Sequence, residues 1–274
     1  MSKVYEIITN KIIEELEKGT VPWQRPWVGG ASMNLVSKKP YRGINVWLTA
    51  ASGYSSPYWV TYKQATDLGG NVKKGEKGTM VVFFKVYTKE QEEGEDDKRF
   101  ALRYYTVFNT EQCENLKTPE QEKPLEFSPI TQCEQVVNNM PKAPAITHSR
   151  AQAYYMPSAD RVNMPNKEAF VGEPEYYSTL FHELVHSTGH KSRLDRHTKD
   201  KCNHMFGSQD YSKEELVAEM GATYLAGTCK IENKTLKNSA AYIHGWLKRL
   251  RSDTKILIQA AAQAQKASDY ILNN

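Results

Sequence analysis

No stretch of this sequence approaches the roughly 20 apolar residues that a membrane-spanning helix requires, so no membrane partner is expected. Its opening residues, Met1-Ser2-Lys3-Val4-Tyr5-Glu6, lack the apolar centre of a secretion signal and bring in acid within the first turn. Cysteine is scarce: four in 274 residues, Cys113, Cys133, Cys202 and Cys229, widely spaced and without a C-x-x-C pair. That excludes a disulfide framework or a zinc ribbon and makes a reducing cytoplasm the expected location. Internal repeats and low-complexity segments are missing as well. With 39% hydrophobic and 25% charged residues, the chain has the make-up of a globular protein with room for two ordinary domains.

Charge is present but unevenly spread. Residues 1–88 carry 12 Lys+Arg against 6 Asp+Glu, whereas residues 89–126 carry 6 against 11. A basic block followed by an acidic one suits a polyanion-binding module, although a solvated lysine face gives the same count.

Periodicity predicts a helix over 4–18, stopped by Gly19, and a second over 43–51. β-branched and aromatic residues predict strands over 80–87 and 102–108, joined by a water-exposed acidic hairpin loop over 89–99. Leu116 to Pro129 is charged, contains proline and shows no hydrophobic period. Residues 130–140 are weakly helical, and 153–164 read as a strand pair or extended edge with Asp160 in its turn. Helices are expected from Pro174 to Gly189, then over 213–226, 239–252 and 254–272. These elements predict an α+β chain of two domains, 1–115 and 143–274, with a linker over 116–142.

His182-Glu183-Leu184-Val185-His186 reads H-E-x-x-H within the predicted helix. Residues four apart share a helix face, so His182 and His186 can bind one metal ion, with Glu183 beside it as general base. Catalytic zinc takes three protein ligands and leaves a position open. His190 lies eight residues past His182, where the ten-residue spacing of the metzincin pattern does not place a ligand, so it reads as a helix-end residue or a support for the ligands. Downstream, Glu215 and Glu219 lie four apart on one face, and Ala218, Gly221 and Ala222 let that face approach another helix. One carboxylate would bind the ion while the other orients an imidazole. Glu215 is favoured as ligand. If Ser212 and Glu215 instead form a capping box, Glu219 takes that place. The implied chemistry is peptide hydrolysis, with Glu183 passing a proton from water to the leaving amine. Tyr154, Tyr155, Tyr242 and His244 are candidate donors to the developing oxyanion.

The first half is also aromatic. Trp23, Trp27, Trp47 and Trp59 fall among Tyr41, Tyr54, Tyr58 and Tyr62, with Arg25, Lys38, Lys39, Arg42, Lys63, Lys73, Lys74 and Lys77 interleaved. Bases of a single strand stack on aromatic faces while cations follow the phosphates. Trp47 and Trp59 have apolar neighbours that suit packing, whereas Pro22 and Pro26 keep Trp23 and Trp27 out of regular structure. The glycine-rich loop from Gly69 to Gly78 lacks the G-K-[ST] of a phosphate-binding P-loop.

The chain resembles the ArdC family of antirestriction proteins. The likeness runs through Glu17 to Trp23, Pro26-Trp27, Tyr41 to Asn45, Trp59 to Ala65, Gly69-Gly70 and Lys74-Gly75. In the second half it takes in Asp160 to Pro165, Tyr177 to His190, Arg193-Leu194 and Glu215 to Glu219. Lys191 departs from the small residue or proline that the family often has there. The resemblance implies a small α+β domain that binds single-stranded DNA and a mainly helical, zincin-like metallopeptidase domain with a small sheet. It implies protection of incoming DNA from host restriction. Two readings follow: a DNA-tethered peptidase acting on a host restriction or regulatory protein, or a DNA-coating protein whose metal site is structural or vestigial. Its gluzincin pattern assigns His182, His186 and Glu215 to Zn2+, or another divalent ion such as Mn2+, with Glu183 catalytic and Glu219 supporting. The expected DNA-binding residues are Trp23, Arg25, Trp27, Lys38, Lys39, Arg42, Asn45, Tyr58, Trp59, Lys63, Lys73, Lys74 and Lys77.

Overall fold

A computed structural model describes residues 2–18, 32–54, 56–89, 97–119, 129–150, 152–170, 172–196, 209–231 and 240–274. It mixes helices with small sheets, as the pattern predicted. Helix α1 (Ser2–Glu17) buries Ile8, Ile12 and Leu16 at helical spacing. Strand β1 (Met33–Asn34) and helix α2 (Ile44–Ala50) follow, then β2 (Tyr58–Val60), helix α3 (Tyr62–Asp67) and β3 (Asn71–Val72). Helix α3 was not expected. Thr61 and Gln64 start it with a capping box, each side chain bonded to the other's backbone N–H.

Strands β4 (Thr79–Lys89) and β5 (Asp97–Asn109) pair antiparallel along their length and extend into the segment expected as a loop. With β1 parallel to β2 and β2 antiparallel to β5, they form a sheet of order β1-β2-β5-β4. Strand β6 (Cys113–Glu114) pairs with β3. Alternation gives this sheet two unlike faces. Val82 packs into the main core, while Val81 and Val107 pack with Trp59 on the other side.

Helix α4 (Pro129–Asn139) lies inside the segment expected as linker, and its Cys133 is fully buried. A three-stranded sheet follows, of order β7-β9-β8, from β7 (Ala145–Thr147), β8 (Tyr154–Met156) and β9 (Arg161–Asn163). Asp160 turns the β8–β9 connection in the left-handed region, φ 45°. Four helices complete the fold: α5 (Glu173–Thr188), α6 (Gln209–Thr228), α7 (Ala240–Ser252) and α8 (Ile256–Leu272). No helix among the described residues is long and apolar enough to cross a membrane.

One core runs through both halves. Ile8, Ile12, Trp47 and Val82 belong to the same buried cluster as Phe181, Leu184, Leu216, Met220 and Leu257. Trp47 stacks on Tyr224 of α6 with ring centres 4.8 Å apart. Around that contact, the Tyr224 hydroxyl donates to Gly43 O (3.0 Å), Gly43 N donates to Gln265 (3.1 Å), and Arg42 pairs with Asp269.

Candidate metal centre

Helix α5 carries the H-E-x-x-H motif and is buried almost all round. Glu173 and Glu175 stand in its first turn, complementing the positive end of the helix dipole. From Tyr176 to Thr188 only Thr179, His182 and His186 escape full burial. The histidines therefore occupy the stripe of this stretch that is left half-buried. Its carboxy-terminal carbonyls are tied by arginine: Arg193 donates to Ser187 O (2.7 Å) and Arg196 to Val185 O (3.0 Å).

Helix α6 packs against that stripe. Gly221 makes the approach possible, since a Cβ built there would lie 2.7 Å from Val185 Cγ2. The predicted role of Ala218, Gly221 and Ala222 as a close-packing face agrees with this, and all three are buried. Ser212 lies inside α6 rather than at its start, so it does not cap the helix, and the alternative that reserved Glu215 for a capping box does not arise.

Three donors converge. His182 Nε2 and His186 Nε2 are 3.1 Å apart, and Glu215 presents one oxygen to each, at 3.6 Å and 3.5 Å. Among the described residues these are the side chains whose ligand atoms lie together, within 4.8 Å of one another. Tetrahedral coordination with about 2.0–2.2 Å bonds would place donor atoms about 3.4 Å apart, so the set fits a divalent ion with little adjustment. Two imidazoles and one carboxylate are also a donor set of catalytic zinc.

Behind the histidines lies a support that spacing did not reveal. Glu214 Oε1 sits 3.4 Å from His186 Nδ1, which leaves Nε2 turned toward Glu215. Arg196, almost fully buried, holds both Glu214 oxygens at 2.6 Å and 3.1 Å and also donates to Thr188 Oγ1. Burial alone would lower the His186 pKa. The Glu214 hydrogen bond and the charges of Glu215, Glu214 and Glu183 outweigh it and hold the pKa at about 9. The same negative field favours a bound cation. Glu183 is 8% exposed.

Other expected residues fall elsewhere. Glu219, a turn beyond Glu215, is buried but is not one of the three converging donors. His190 was expected at the helix end or as a support for the ligands, and it follows the C-cap Gly189. Its Nδ1 instead accepts from Ser192 N (3.2 Å) and lies 3.8 Å from Asp160. Of the oxyanion candidates, Tyr155 spends its hydroxyl on Asp160 (2.8 Å) and Arg193, and His244 is exposed. Tyr154 is half-buried, and the Tyr242 side chain lies outside the described residues.

The expected DNA contacts divide three ways. Trp23, Arg25 and Trp27 lie outside the described residues. Lys38, Lys39, Lys63, Lys74 and Lys77 are exposed, as is Lys73, whose Nζ donates to Glu111 O. Tyr58 is half-buried under Lys38 Nζ, 5.2 Å from its ring centre. Two residues require correction. Trp59, at 1% exposure, packs on Val81 and Val107 and offers no face to a base. Asn45 is buried, its amide bonded to both Val82 O and Val82 N, so it joins α2 to β4. Arg42 is exposed and paired with Asp269. Sequence reasoning missed Phe83, Tyr104 and Tyr105, which are exposed; their strand pattern signalled β structure and drew attention away from their rings.

Comparison with known proteins follows the same division. Residues 2–108 match a family model described as the N-terminal domain of anti-restriction factor ArdC, and residues 131–263 match one described as a zincin-like metallopeptidase. Two DNA primases TraC of Escherichia coli are 36% and 34% identical over 98% of this chain. The chain spans only 20% and 27% of their length. An uncharacterized protein y4eC of Sinorhizobium fredii is 34% identical, matching 98% of this chain and 91% of that protein. Among solved structures, the metal-free antirestriction ArdC protein from R388 plasmid is 39% identical with a TM-score of 0.78, matching 97% of this chain and 96% of that one. Its Mn(II)-bound form gives 38% identity and a TM-score of 0.77, over 98% and 97%.

Proposed function

We propose, starting from the fact that this chain belongs to the ArdC family of antirestriction proteins, that it is a DNA-tethered metallopeptidase. In this reading it holds incoming single-stranded DNA and cuts a host restriction or regulatory protein in the cytoplasm. The observation that carries it is the convergence of His182, His186 and Glu215 beside Glu183. A divalent metal suits that donor set, and the likeness to a Mn(II)-bound ArdC supports one. We assign Zn2+ as the working ion from the donor types.

His182, His186 and Glu215 would hold the ion, and Glu214 fixes His186 with Nε2 turned toward it. When bound, the ion acidifies water and polarises a peptide carbonyl. Glu183 takes a proton from water at its carboxylate and delivers it to the leaving amine nitrogen. Glu219 supports the site from the buried side of α6. The exposed cations Lys38, Lys39, Lys63, Lys74 and Lys77, with Trp23, Arg25 and Trp27, supply the DNA contacts.

Glu183→Ala separates chemistry from binding. Metal content and oligonucleotide affinity should match wild type, while peptidase activity falls about 100-fold or more and protection of transferred DNA is lost. Full protection by this variant would sink the catalytic reading and favour a protein that acts by coating DNA.

A further inference from the structure

The residues that should stack bases in the first half are not all where the tryptophans suggested. Trp47 and Trp59 are buried, yet Phe83 and Tyr105 stand 47% and 50% exposed on the β4–β5 sheet. Val81 pairs with Tyr105 and Phe83 with Arg103, so these four side chains and Val107 share one face. The rings of Phe83 and Tyr105 meet edge to face, 4.9 Å between centres at 84°. Such a pair leaves both faces of one ring uncovered by the other.

These rings form one wall of a groove of about 630 Å3. Volumes of roughly 300–1,000 Å3 receive ring-sized organic groups. Val107 and Tyr41 line it as well, and both pack on the buried Trp59 and Val81. The facing wall is polar: Asn34 Nδ2 donates to Gln64 Oε1 (2.9 Å), and Gln64 Oε1 also accepts from Thr61 N. Lys39 and Arg103 line the groove, and among the described residues no carboxylate does. Exposed aromatic rings, fixed amides and lining cations describe a surface for bases and phosphates.

We propose that this groove is the base-stacking site of the protein, taking single-stranded DNA with its bases against Phe83 and Tyr105 and its phosphates toward Lys39 and Arg103. The assignment rests on the reading that the first half binds single strands, and it moves the stacking surface from the buried Trp47 and Trp59 to the sheet. An acidic peptide could use the cations but would leave the rings without a planar partner.

The test uses the full chain and a fluorescent oligodeoxythymidylate of about 15 nucleotides, within the roughly 4–16 that small single-strand modules cover. Phe83→Leu and Tyr105→Leu should each weaken binding about 5- to 100-fold, whereas Phe83→Tyr and Tyr105→Phe should bind as wild type. Tyr104→Leu, on the opposite face by alternation, should also bind as wild type. Lys39→Ala should lower the slope of log affinity against log salt by about 0.7. On the unmutated chain, a bromodeoxyuridine oligonucleotide should photocrosslink to peptides holding Phe83 or Tyr105. Wild-type affinity in the Phe83→Leu/Tyr105→Leu double variant, or crosslinks confined to other peptides, would overturn the groove and leave single-strand binding standing. No oligonucleotide binding by the wild-type chain, or equal affinity for duplex, would overturn both.

Discussion

Neighbouring residues on a helix point about 100° apart, yet Glu214 and Glu215 both serve the same histidine from different sides. Glu215 faces the Nε2 atoms, while Glu214 reaches Nδ1 of His186 and is clamped by Arg196. Glu214→Gln keeps the shape but removes the charge. It should weaken metal affinity about 10- to 100-fold, read by competition with a chromophoric chelator, while His182 and Glu215 remain. It should also cost about 3 kcal/mol of stability, because Arg196 is left as a buried cation without its partner. Normal metal affinity in this variant would show that Glu214 only neutralises Arg196. A second residue-scale pair lies away from the centre. Asp160 accepts from the buried Arg193 and from Tyr155. Burial opposes ionisation of Asp160, but the hydrogen bonds from Arg193 and Tyr155 prevail and lower its pKa. A depressed carboxylate stabilises the fold above its unfolded pKa, and that contribution is lost as pH falls through the lower folded value. Asp160→Asn should therefore melt earlier at neutral pH, by about 1–2 kcal/mol given its partial exposure, and the difference from wild type should narrow in acid. The H-E-x-x-H residues were legible because three chemistry-bearing side chains fall within five residues. Glu214 was not, since it lies 28 residues from His186 and only helix packing joins them.

At the scale of elements, the centre depends on how closely α5 and α6 approach. Val185 lies inside the motif, between the two histidines, and touches the bare backbone of Gly221. A methyl there would lie 2.7 Å and 2.9 Å from the two Val185 methyls, so the helices must part. Gly221→Ala should cost about 1–3 kcal/mol, read as a lower melting temperature, and should weaken metal binding because Glu215 retreats from both histidines. Unchanged metal affinity alongside a lower melting temperature would mean that Glu215 follows the shift. This packing was readable in advance from the small residues of the second helix. Shorter elements were not. Helix α3 has six residues and strands β1, β3 and β6 have two each, too few for any hydrophobic period to declare itself. Only the Thr61–Gln64 capping pair could have announced α3. The β-branched run of β4 gave away the strand, but periodicity alone does not say which face of a sheet is left open. Phe83 and Tyr105 became visible as a surface only once the other strands and helices were in place.

Across the whole molecule, the two functional halves share a single buried cluster, and Trp47 is the side chain that most directly joins them. It is fully buried and stacks on Tyr224, which belongs to the same helix as Glu214 and Glu215. The basic half thus braces the helix that presents the carboxylates. Two independent folding units would unfold in separate steps. A core continuous across both halves instead favours a single cooperative transition. Trp47→Ala should cost about 3–5 kcal/mol. In urea, tryptophan fluorescence, which three of the four remaining tryptophans (Trp23, Trp27 and Trp59) weight toward the amino-terminal half, and circular dichroism, weighted toward the carboxy-terminal helices, should shift to lower midpoint together in this variant. Metal affinity should fall as well, although Trp47 lies in the half without metal-binding residues. If the amino-terminal signal alone moved, the shared core would be a passive contact between separately stable units. Coincident transitions with weakened metal binding would instead make the amino-terminal half a structural part of the metal centre, so that an insult to one half disables both.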